Sequence, residues 1–237
     1  MPTSGDAVRT QLAVVTTTMT REITAAALSV AVERQAQVAL NAVRLAVPAY
    51  YDATGALAVA WYDELRDGAS PSTPYAPRII GDPETDWIER ESRALLRDLD
   101  GTDLDLEVET RRMLTEITAL AEKEAARGFR DSITGNTRID TESIGWSRVT
   151  RPGACKFCVM LAGKGSVYRS ESTALFAAHK GCHCAARPEF RGGQHGPEAD
   201  VIQYVASSRR ARTEAEQAAR NKRVRAYLNK NYPDLPG

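Results

Sequence analysis

The chain has 237 residues, enough for one large domain or two small ones, with 43% hydrophobic and 26% charged residues. That is the composition of an ordinary globular protein, and no apolar run approaches the ~18 residues of a membrane-spanning helix. Net charge is zero by cancellation: residues 1–145 carry 24 acidic against 15 basic side chains, while 146–194 and 209–230 each carry eight basic and two acidic. An acidic front half and a basic back half divide the molecule, although solvated helix faces would give the same pattern. The first residues lack a cationic stretch followed by an apolar block, so no signal peptide is expected. A reducing cytosol is then the expected site of folding, where clustered cysteines bind metal more often than they pair.

Residues 5–47 contain no proline and no glycine after Gly5. Ile23, Ala27, Val30, Ala31, Val38 and Val43 recur roughly at helical spacing, which predicts one long helix or two in line. Pro48 is expected to break or kink it, with a second helix from about 49 to 66. The stretch DGASPSTPYAPRIIGDP, with four prolines and two glycines at 67–83, reads as a linker. Asp82 followed by Pro83 predicts the next helix start, running to about Leu99. Another helix is expected from about Asp103 to Phe129 or a little beyond, with Leu106, Met113, Leu114, Ile117 and Leu120 on one stripe. Residues 1–135 thus read as a helical region.

The character changes at 135–154, where Gly, Asn and Pro become frequent and IGWSRV has strand features. Residues 136–192 read as a small Cys/His module, and 193–237 as a linker followed by a basic helix. The predicted fold is mainly α: long N-terminal helices, a small zinc-stapled α+β module and a C-terminal basic helix.

The module holds all four cysteines and two of the three histidines. Cys155-x2-Cys158 lets two thiolates of one tight turn reach a single ion. Cys182-x-Cys184 lies at i,i+2, so an extended backbone points both thiols to one side. Two such pairs complete the closed tetrahedron of structural zinc. The expected ligands are Cys155, Cys158, Cys182 and Cys184, with His179 beside the metal or replacing one cysteine. His183 points the other way in an extended reading. Two disulfides, a redox Cys-x2-Cys and a Cys/His nucleophile are the alternatives, as is a catalytic zinc with Glu171 or Glu189 as base. Some 45 residues bury too little core to stand alone, whereas structural zinc contributes about 10–16 kcal/mol in small zinc peptides. Within the loop, SESTALFAAH reads as a short helix that delivers His179.

Other motifs are weaker. Gly163-Lys164-Gly165-Ser166 lacks the complete phosphate-loop pattern. Glu107-Val108-Glu109 imitates the Glu-x-Glu of ADP-ribosyltransferases but falls in a helical stretch. RRARTEAEQAARNKRVRAYLNK could bind nucleic-acid phosphates or an acidic protein face.

Trp146, Arg148, Val149, Cys155, Phe157, Cys158, Leu161, Ala162, Gly165, Val167, Tyr168, His179, Cys182 and Cys184 form a pattern over 144–190. It resembles the C-terminal module of phage Mu F-like minor head (head morphogenesis) proteins, particularly those of phages that infect actinobacteria. The resemblance implies a minor capsid protein of a tailed-phage virion, inside the head near the portal, acting in head assembly and DNA packaging or delivery. Implied partners are the portal protein, other copies or capsid proteins and, through the basic back half, DNA; no membrane partner is expected. Some relatives are labelled capsid maturation proteases, so a Cys- or zinc-dependent hydrolase is the rival reading. Nothing in the chain supplies a recognisable protease dyad or triad.

Overall fold

A computed structural model describes residues 5–97, 105–150, 156–162, 184–191, 213–231 and 233–234. The protein is mainly helical, with a small two-stranded sheet among the described residues. Helix α1 spans Gly5–Leu28, α2 Val32–Gly68, α3 Asp86–Arg97 and α4 Leu106–Ile139. Strand β1 (Ser143–Val149), the short helix α5 (Lys156–Ala162), strand β2 (Ala185–Phe190) and helix α6 (Glu214–Asn231) follow.

The first helical region breaks at Ser29 rather than at Pro48. Ser29 turns its hydroxyl back onto the Ala26 carbonyl at 2.7 Å, and Ala31 is extended, at φ −58° and ψ 149°. Pro48 lies inside α2. The hydrogen bond that proline cannot make is outweighed by continuous burial on either side, with Val47 and Tyr51 fully buried.

Helix α4 packs against α2, α1 and α3. The pairs Thr54–Ala125 and Tyr62–Asp140 show α2 and α4 running in the same direction. Val8 and Leu12 share a core with Phe129, and Thr16 meets Glu122, so α1 runs the opposite way. Close approach of α2 to α4 requires Gly128, where a Cβ would overlap the Tyr51 carbonyl oxygen. Two clusters fill the interior. One joins α1, α2, α3 and α4 through Met19, Ile23, Leu40, Val47, Ile88, Met113 and Ile117. The other joins Leu12, Trp61, Tyr62, Phe129 and Ile133 to Trp146, Val149, Ala185 and Phe190 of the strands. Of the expected α4 stripe, Met113, Leu114 and Ile117 are buried and Leu106 is exposed.

Two parallel helices need a long return path, and residues 69–85 supply it as an extended strap running back along α4. Pro71, Pro74 and Pro77 recur every third residue, the period of a polyproline II turn. The helix expected at Asp82 starts only at Asp86, because the Asp82 carbonyl and the Glu84 amide are bound to α4 side chains. Helix α4 continues to Ile139, ten residues past Phe129, where the sequence predicts an end at that residue or a little beyond. The position at residue 135, where the sequence changes character, falls inside this helix.

Strands β1 and β2 pair antiparallel, with Trp146 opposite Pro188 and Val149 opposite Ala185. A bulge between Ser143 and Gly145 is accommodated by Gly145 at φ 139°, a conformation that a side chain would disfavour. The ribbon packs on α4, β2 also on α2, and α5 lies against β1.

Candidate metal centre and a polar clasp

The strand register fixes where the cysteines can meet. Because β1 ends at Val149 opposite the first residue of β2, the chain leaves and re-enters the ribbon at the same end. Cys158 stands on α5, and Cys184 directly precedes β2. Both are buried, at 2% and 4% exposure. Cys155, His179 and Cys182 lie outside the described residues, as do His183, Glu171, the 163–166 motif and the helix expected in SESTALFAAH. Among the described residues, no group of three Cys, His, Asp or Glu side chains comes together as metal ligands.

The ribbon is unusually rich in buried charge. Arg148 and Glu189 are 1% and 2% exposed. The Glu189 carboxylate accepts a hydrogen bond from the Ser147 hydroxyl and lies 3.8 Å from an Arg187 nitrogen. This partnership ties Glu189 to the sheet. Glu107 and Glu109 are each bound to an arginine one turn on, Arg111 and Arg112, at the start of α4, where Asp105 caps the Glu107 amide.

A second constellation escaped the sequence reading: the clasp that holds the strap. Glu124, Ser132 and Asn136, at intervals of eight and four residues, bond the strap along one side of α4, while Gly128 between them admits α2. Asn136 is fully buried. Its Nδ2 donates to the Arg78 carbonyl at 2.7 Å and the Ser132 carbonyl at 2.6 Å. Its Oδ1 accepts from the Arg78 amide at 3.0 Å and the Tyr75 hydroxyl at 2.7 Å. The Ser132 hydroxyl accepts from the Ile80 amide at 3.2 Å. Glu124 accepts from the Glu84 amide at 2.7 Å, the Trp87 indole at 3.2 Å and the Arg127 guanidinium. Arg127 in turn reaches Asp131 and the Asp82 carbonyl, at 2.8 and 2.7 Å. Burial opposes the charge on Arg127, but the Glu124 hydrogen bonds and the surrounding acids raise its pKa.

At the far end, Arg66 and Asp140 form an ion pair at 2.7 Å with side chains 4% and 1% exposed. Arg66 also donates to the Thr73 carbonyl, and Tyr62 donates to Asp140 at 3.2 Å. The Asp140 hydrogen bond raises the pKa of Arg66 further. Burial, then the adjacent Asp140 charge, drive the Tyr62 phenol upward. Both groups therefore stay in their ordinary protonation states, and the cluster is a fixed structural element. At the start of the strap, Glu142 accepts from the Ser72 amide and hydroxyl, which holds its carboxyl below the usual range.

Asn136→Ala removes four hydrogen bonds, three of which hold the strap at Tyr75 and Arg78. It is expected to cost about 1–3 kcal/mol and to speed tryptic cleavage after Arg78, read by limited proteolysis and mass spectrometry.

These features define a helical protein with a strapped three-helix body and a cysteine-bearing strand ribbon built into its core. The family model described as VG15 protein matches residues 2–225, and the chain belongs to that family, a viral family of phage proteins. No curated protein and no solved structure matches.

Proposed function

We propose that the chain is a minor structural protein of a tailed-phage virion, placed inside the head near the portal and acting in head assembly and in DNA packaging or delivery. The observation that carries this reading is membership of a viral family over 2–225, nearly the whole chain. The Mu F-like pattern of 144–190 supports the finer placement. A strapped helical body offers surfaces for the portal or for neighbouring copies. Among the described residues, no helix is long and apolar enough to cross a membrane.

The same reading includes a structural zinc on Cys155, Cys158, Cys182 and Cys184, with His179 as the substitute ligand. The burial of both Cys158 and Cys184 supports it, because a closed, desolvated thiolate set is what structural zinc requires. Bound there, zinc would cross-link the two ends of the excursion between the strands.

Mass spectrometry of gradient-purified particles tests the placement. The protein should co-purify with intact heads at a fixed ratio to the portal. Its restriction to the soluble lysate would end the proposal.

A further inference from the structure

We propose that the outward face of α1 is a self-association surface, on which α1 of a second copy of this chain docks antiparallel about a two-fold axis. The inference names the surface through which neighbouring copies in the virion would meet, and in that sense rests on the virion reading. Helix α1 carries two stripes. Leu12, Thr16, Met19, Ile23 and Ala27 are buried in the body. Gln11, Val14, Thr18, Arg21, Ala25 and Leu28 follow at alternating steps of three and four residues, the spacing of a coiled-coil seam. At about 100° per residue this second stripe lies opposite the first, and all six of its residues are exposed. Val14 and Leu28 are 60% and 61% exposed.

The outward face is nearly free of charge. Between Thr10 and Ser29 the charged side chains are Arg21 and Glu22 alone. A helix face that meets water normally carries charge, and α2 follows that rule by exposing Glu33, Arg34, Arg44, Asp52, Asp63 and Asp67. The hydroxyls on the α1 face are already satisfied: Thr18 donates to the Val14 carbonyl at 2.8 Å and Thr10 to the Asp6 carbonyl at 2.9 Å. Covering them strands no donor. Depletion of charge marks the core of a protein interface. One cation is too few for a row of phosphates, and no basic rim accompanies the apolar residues as a lipid surface requires.

The face complements itself in one direction. Parallel copies would set Arg21 against Arg21, like charge on like. The antiparallel register sets Val14 opposite Ala25, Leu28 opposite Gln11 and Arg21 opposite Thr18, so that no cation meets a cation. Arg21 makes no ion pair within its own chain among the described residues. In the antiparallel register it lies about one turn from Glu22 of the second copy, which the Tyr50 phenol holds by a hydrogen bond at the edge of the stripe. The two-fold axis makes that pair twice. Exposed ion pairs add little affinity, but they fix direction and register. The match uses one acid and one base of the same chain, so a second copy supplies the whole complement.

Sedimentation velocity of the full-length protein over a concentration series tests the proposal. The wild type should dimerise, and Val14→Glu with Leu28→Glu should raise the dissociation constant at least about tenfold. Arg21→Glu should weaken the dimer by bringing acids together, and Arg21→Glu combined with Glu22→Arg should restore it. Circular dichroism checks that these surface variants keep their helix content. Direction is read by cross-linking. Val14→Cys with Ala25→Cys should give, on mild oxidation, a 14–25 bridge found by peptide mass spectrometry. Those positions are about 16 Å apart on one helix, beyond the reach of a disulfide, so the bridge must join two chains. Val14→Cys bridging to itself would show parallel docking and overturn the proposal. Wild-type protein that stays monomeric up to about 1 mM would also overturn it, as would a dimer indifferent to the glutamate pair. A monomer whose glutamate variant no longer co-sediments with portal protein would assign the face to the portal instead. These measurements use purified protein, so their failure leaves the virion measurement standing, and the reverse also holds.

Discussion

Asp140→Ala is expected to destabilise the protein by about 3–5 kcal/mol, because Arg66 would stay buried with its charge uncompensated. At about 2–4 °C per kcal/mol for a chain of this size, the melting temperature should fall by roughly 6–20 °C. Asp140 does more than pair. It accepts from both Arg66 and Tyr62, and Glu142, two residues on, donates its amide to the other carboxylate oxygen at 3.0 Å. One side chain therefore joins the end of α2, the end of α4 and the turn into β1. The double variant Arg66→Met, Asp140→Leu removes both charges and should lose less than the single one, since no orphaned ion remains. Thermal unfolding of the three proteins checks this. A single-variant shift below about 3 °C would show that the pair is replaced by solvent.

The second large effect follows from the proposed zinc. Cys158→Ser and Cys184→Ser should each release metal and loosen the ribbon, as chelation of the wild-type protein should. The 10–16 kcal/mol that structural zinc contributes in small peptides matches or exceeds the ~5–15 kcal/mol stability of a whole domain. The ribbon supplies Trp146, Val149, Ala185, Ala186 and Phe190 to the core shared with α1, α2 and α4, so the loss should spread into the helical body. Elemental analysis under reducing conditions, with near-ultraviolet circular dichroism, should show one zinc per chain in the wild type. Both variants should lose the metal and the aromatic signal together. Full zinc content in both variants with the fold intact would remove the staple and return the thiols to the nucleophile reading.

What the sequence revealed and what it hid have separable causes. The helical class was legible because apolar positions such as Ile23, Ala27, Val43, Met113 and Ile117 keep a helical period, and they are buried. Pro48 misled because burial of its neighbours outweighs a local breaker, whereas the real break falls where Ala31 turns extended, at a residue that carries no breaker signal. The strap resembled a linker because its hydrogen bonds are made by side chains of α4 some fifty residues away, and no local pattern encodes them. The signal available was the series Glu124, Gly128, Ser132 and Asn136, polar or small residues at helical spacing where an apolar stripe would be expected. Ser143–Val149 was visible as a strand, but Ala185–Phe190, with Pro188 inside it, was not. The cysteine spacing named five candidate ligands. The structure places Cys158 on α5 and Cys184 directly before β2, and both are buried.

The head-interior placement is tested most directly by an asymmetric reconstruction of the phage head around the portal vertex. The account predicts density inside the shell, next to the portal, that fits the strapped body of α1, α2 and α4. A wild-type portal vertex without that density would contradict it, as would normal genome packaging in particles made after the gene is deleted.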